Sequence, residues 1–208
     1  IYFGSGCFVG TPKNIKTTDL VQILGGSGLE NPHGIVTTLL KNVLDSYDKY
    51  RYDQIIRLAR IFAVDLAKED SFRRSESFCQ DILRILPNAP NYQTDINWFK
   101  FKLGASLRMV GSKDASTTIF SELDLSQVDK TTKRRILINW ALAEEKKNPY
   151  KAKELAKEVM SLGEKSLQAL EAEFIILKNT QDDTEIIDKL KALESRALKK
   201  KQNSLLNN

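Results

Sequence analysis

Residues 103–123 read LGASLRMVGSKDASTTIFSEL, and the fold turns on how they are read. Leu103, Leu107 and Val110 extend an apolar stripe that starts at Ile96 and Phe99, while Trp98, Phe101 and Ala105 form a second apolar face. Helical spacing on two faces predicts a helix over 92–110 that is buried on two sides. Gly111-Ser112 stops it, because glycine takes the left-handed position that closes a helix. A shorter helix over DASTTIFSELD, residues 114–124, follows at once. Helices joined by so short a turn fold back on each other.

The same signals recur on both sides. Asn31 as cap and Pro32 at the first helical position open a helix through about Lys49, with Ile35, Leu39, Leu40, Val43 and Leu44 on one face. A second, near 52–67, carries Ile55, Ile56, Leu58, Ala59, Phe62 and Leu66, and a third, 71–86, is stopped by Pro87. Downstream, DKTTKRRILINWALAEEKK presents Ile136, Trp140 and Ala143, Asn148-Pro149 starts another helix, and Gly163 closes it. Two more, over 164–179 and 184–201, lead to a polar tail at 204–208. The expected class is all-α, built of antiparallel helix hairpins.

The first thirty-four residues differ, since they hold seven of the ten glycines, at positions 4, 6, 10, 25, 26, 28 and 34. IYFGSGCFVG reads as a short strand or extended hairpin, TPKN as a turn and TTDLVQIL as a short helix. Residues 1–31 are therefore expected to end an upstream domain of a longer protein, with a helical repeat domain over 32–203.

A period near 34 residues is the mark of stacked helical hairpins. Leu103, Gly104 and Phe120 fit a pattern in which a large-then-small pair on the first helix receives an aromatic from the second. Phe62, Ala63, Ser75, Cys79 and Pro87 fall in comparable places one hairpin earlier, and Ala152 and Ala156 one hairpin later. There Trp140 occupies the small slot, a departure. Small residues at the crossing let the two helices approach closely. On these residues the chain resembles a degenerate tetratricopeptide-like right-handed α-solenoid over roughly 50–178, without that family's signature tryptophan and tyrosine. The resemblance implies a scaffold that binds a protein or peptide on its concave face, with Asn97, Lys100, Arg108 and Asn139 as candidate polar contacts.

Little in the composition points to chemistry. The 208 residues are 41% hydrophobic and 28% charged, which is ordinary globular material. Apolar runs such as ILINWALA are too short to span a bilayer and no leader pattern opens the chain, so the expected compartment is the cytoplasm. Cys7, Cys79 and a single histidine provide neither a disulfide framework nor a His/Cys metal site, and no cofactor is expected. Acid pairs such as Glu144-Glu145 and Asp182-Asp183 diverge by about 100° on a helix and read as solvated. His33, in the first turn of a helix and without a nearby nucleophile, reads as structural or exposed. No catalytic residue is assigned.

Two anion-binding alternatives remain open. LGGSGLENPH, residues 24–33, places Gly25, Gly26 and Gly28 ahead of a helix start, where backbone N–H groups would cradle a phosphate; the preferred reading is a turn between helices. Third-glycine spacing fails in GSGCFVG, where Val9 stands in place of glycine. The net charge is +5, and Lys130, Lys133, Arg134 and Arg135 are the candidate nucleic-acid contacts, although bases and acids alternate as on solvated helix faces. The leading expectation is a noncatalytic scaffold for protein–protein interaction. The alternatives are a nucleic-acid-binding accessory domain, or the C-terminal region of a nucleotide-processing enzyme.

Overall fold

The computed structural model describes residues 32–47, 49–68, 71–126, 128–163 and 166–179, with 191, 192, 194–196 and 198. Gly25, Gly26, Gly28 and the strand expected at IYF lie outside the described residues, as does the polar tail. Every regular element among the described residues is helical. The chain divides into two compact units after Ser106.

The first unit contains α1 (Pro32–Asp45), α2 (Lys49–Lys68), α3 (Phe72–Ile85), a 3₁₀ turn (Pro90–Tyr92) and most of α4 (Gln93–Met109). The helix expected to run to Lys49 stops at Asp45. Tyr47 interrupts it with a φ of 55°, a left-handed conformation that an aromatic residue rarely adopts, and α2 begins two residues later. α1 packs on both α2 and α3, and α2 packs on α3. Val36, Leu40, Phe78, Ile82 and Phe99 are fully buried. The Phe78 ring meets Phe62 edge to face at 4.9 Å and His33 at 5.0 Å. α3 ends where expected, with Leu86 already extended (ψ 127°) ahead of Pro87.

The second unit contains α5 (Lys113–Ser121), α6 (Lys130–Glu144), α7 (Pro149–Ser161) and α8 (Leu167–Lys178). Gly111, at φ 91°, closes α4: its N–H reaches the Arg108 carbonyl at 3.2 Å and the Ser112 N–H reaches Leu107 at 2.9 Å. Those two bonds satisfy carbonyls that the helix end would leave bare. α6 packs on α5 and α7, and α8 packs on both α7 and α6. Ala141, Ala152, Ala156, Val159, Ala172 and Ile175 are fully buried in its core. The Asn148 side chain caps α7 by accepting from the Lys151 N–H at 3.1 Å, with Pro149 behind it as the pattern predicted.

The residues matched across hairpins share one environment. Ser75 and Cys79, Ser116, Phe120, Ala152 and Ala156 are all fully buried on the second helix of their hairpins. At the first crossing the Ser75 hydroxyl donates to the Ala63 carbonyl at 3.3 Å, an approach that only a small side chain permits. Trp140 departs as the sequence suggested, but it is not core: it is half-buried, while its neighbour Ala141 is fully buried. Trp98 is likewise half-buried, whereas Phe101 is buried as expected.

Candidate functional site

Of the four candidate partner contacts, the structure brings two together. Arg108 leaves the last turn of α4 and donates through Nε to Asn139 Oδ1 on α6 at 3.1 Å. Asn139 is held in turn by its own amide, which donates to the Arg135 carbonyl one turn back at 2.8 Å. Burial pushes the Arg108 guanidinium below its ordinary pKa, and Glu171 on α8 acts in the opposite sense. Desolvation likewise raises the Glu171 carboxyl, and Arg108 draws it back. Helices α4, α6 and α8 thus contribute one polar group each to a single neighbourhood. Asn97 and Lys100 lie on earlier turns of α4, both half-buried, and Asn97 Oδ1 accepts from Gln93 at 3.1 Å.

The basic run at the start of α6 is dispersed by the fold. Lys130 and Arg135 are exposed. Lys133 is committed to Glu158 on α7 at 2.8 Å. Arg134 turns towards Gly163, where a Cβ would lie 2.7 Å from its Nη1, and its Nε is buried without a partner among the described residues. Asp129 caps the helix by accepting from the N–H groups of Thr131 and Thr132; the Thr132 side chain first, and then these backbone bonds, hold its carboxyl below the usual range.

Sequence reasoning missed a second cluster, in the first unit. Tyr52 donates its hydroxyl to Asp95 Oδ2 at 2.7 Å, and Arg60 Nη2 pairs with Asp95 Oδ1 at 2.5 Å, so one carboxylate joins α2 to α4. Burial first, then the bond to Asp95, pushes the Tyr52 phenol far above its ordinary pKa of 10.0. Tyr92 meets Tyr52 edge to face at 5.2 Å. Beside this network opens a cleft of about 370 Å³, floored by Val43 and Leu44 and walled by Tyr47, Tyr52, Tyr92 and Asn91, with Lys49, Asp53 and Asp95 around it. A signal for it was present: three of the six tyrosines, at 47, 52 and 92, line it.

Other polar groups read as structural. His33 Nε2 lies 2.9 Å from Asp81 Oδ2, tying α1 to α3, as its structural reading expected. Glu144, expected from the sequence to be solvated, is instead almost fully buried: it accepts from Trp140 Nε1 and pairs with Lys151, each at 3.1 Å, and the Lys151 ammonium stands 4.4 Å from the Trp140 ring centre. Burial pushes the Cys79 thiol up to about 12, leaving it un-ionised and unreactive near neutrality. Among the described residues no group of three His, Cys, Asp or Glu is placed to hold a metal ion, and no helix is long and apolar enough to cross a membrane. No protein-family model, curated protein or solved structure matches this chain.

Proposed function

We propose that this chain is a noncatalytic helical-repeat module of the tetratricopeptide-like, right-handed solenoid kind, which holds a partner protein or peptide against the first helices of successive hairpins. The recurrence of fully buried residues at Ser75/Cys79, Ser116/Phe120 and Ala152/Ala156 supports the repeat. The observation that carries the binding role is Arg108. Its guanidinium is half-buried and bonded through Nε to Asn139, while no hydrogen bond to another described residue occupies its two outer nitrogens. A desolvated guanidinium with two open donor nitrogens suits a carbonyl or carboxylate of an extended partner segment. Asn97 and Lys100, in the first unit, are proposed as separate polar contacts.

The test compares the wild-type chain with the double variant Arg108→Ala/Asn139→Ala as bait. A partner recovered in stoichiometric amount by the wild type should bind the variant about tenfold more weakly, with the helical circular dichroism unchanged. Equal binding by both would reject this face, and a monodisperse wild type that captures nothing would reject the reading itself.

The basic run supports nucleic-acid binding less well. Lys133 is already spent on Glu158 and Arg134 faces Gly163, so a phosphate-tracking stripe would reduce to Lys130 and Arg135. A role as part of a nucleotide-processing enzyme rests on the glycine-rich segment, outside the described residues.

A further inference from the structure

Arg108 and Asn139 leave the tyrosine-walled cleft of the first unit unexplained. Its chemistry is specific in what it offers and in what it lacks. Asp95 is not available as a bare charge, because Tyr52 and Arg60 occupy its two oxygens. Lys49 and Asp53 stand four residues apart on α2 and offset each other. The cleft therefore carries no net charge that would select a phosphate or an organic cation. It presents aromatic rings and neutral donors: no hydrogen bond to another described residue occupies the Tyr47 and Tyr92 phenols or the Asn91 amide.

Tyr47 supplies a second, independent observation. Its φ of 55° is a left-handed conformation that Gly or Asn would adopt at far lower cost. Its side chain is 90% exposed yet walls the cleft, so burial does not compensate the strain. Strain that packing does not explain gathers at binding sites.

We infer that this cleft docks a proline-rich, extended segment of a partner, its pyrrolidine rings lying against Tyr47 and Tyr92 and its backbone carbonyls accepting from Asn91 and the phenols. A polyproline II chain makes no internal hydrogen bonds, so all its carbonyls face outward, and it is already ordered, which lowers the entropy lost on docking. Uncharged aromatic walls with a few donors are the surface such a chain recognises. This site shares no residue with the Arg108–Asn139 face, so either can fail without the other.

The experiment titrates the full chain with a synthetic deca-proline peptide, a glycine-serine peptide of equal length and a trimethyl-lysine peptide. Deca-proline should bind saturably, the glycine-serine peptide should not, and Asn91→Ala should weaken the proline peptide several-fold. Tyr47→Asn should weaken it about tenfold while the melting temperature holds or rises, because asparagine tolerates the left-handed backbone. Absence of saturable deca-proline binding, wild-type binding by Tyr47→Asn, or tighter binding of trimethyl-lysine would each overturn the proposal.

Discussion

The two units reach stable helix packing by different means. In the first, aromatic rings fill the core and polar side chains tie helices together across it: Tyr52 and Arg60 to Asp95, Ser106 to Ser75 at 3.1 Å, and His33 to Asp81. In the second, alanines at 141, 152, 156 and 172 let the helices approach closely, and several ion pairs sit at the rim, such as Lys147–Asp114 and Lys178–Glu145, both at 2.6 Å. Alanine adds no polar atom to satisfy and loses no rotamer freedom on burial, so shape does much of the packing there, beside the buried Glu144 that Trp140 and Lys151 hold. A buried polar network is intolerant by contrast: each member stabilises only while its partners stay in place.

The comparison can be broken most directly in the two cores, since Trp98 reports on the first unit and Trp140 on the second. Phe78→Ala removes a fully buried ring with two edge-to-face partners and should cost about 3–5 kcal/mol. In a Trp140→Phe background the urea transition followed at Trp98 should move to lower denaturant. Ile175→Ala should cost about 2–4 kcal/mol and shift the Trp140 signal when Trp98 is replaced. If both probes moved together in both variants, the two units would be one cooperative block.

Next in size is the network at Asp95. Asp95→Asn should cost about 2 kcal/mol, less than the loss for a fully buried pair, because Arg60 keeps 32% of its side chain in water. Tyr52→Phe should cost about 1 kcal/mol at neutral pH. It also alters the alkaline limb. The folded phenol holds its proton well above the ordinary value of 10.0, so the unfolded chain ionises first and wild-type stability falls as pH rises past about 10. Denaturant midpoints measured between pH 8 and 11 should fall less steeply for Tyr52→Phe, and parallel curves would show that Tyr52 does not titrate as described.

Smaller effects belong to the second unit. Asn148→Ala removes the cap of α7 and should cost about 1 kcal/mol, read as a lower midpoint at Trp140. Lys147→Ala should change least of all, and what change it makes should vanish in high salt, since both partners are well exposed.

Much of the fold was legible because its signals are local. Asn148-Pro149, Gly111 and Pro87 act within one turn of where they stand, and the stripe of Ile96, Phe99, Leu103 and Leu107 names its helix without reference to any neighbour. Tyr47 was illegible for the opposite reason: nothing within the run from Asp45 to Lys49 forbids a continuous helix, and the residue that breaks it takes a left-handed conformation its type rarely adopts. The candidate site was half legible. Arg108 and Asn139 were selected by helix position, whereas nothing local singled out Tyr52 or Asp95, which meet across 43 positions.

Among the described residues, the sequence by itself determined which segments are helical, where most of them end, and which stripe of each turns inward. These follow from periodicity, capping and the backbone limits of glycine and proline, all of which operate within a few residues. Only the tertiary structure decided which polar groups meet: Tyr52 with Asp95 across 43 positions, Arg108 with Asn139 across 31, Lys133 with Glu158 instead of with solvent. Helical periodicity sets the direction of a side chain about its own axis, but the rotation and offset of one helix against the next are settled by how the buried side chains interlock.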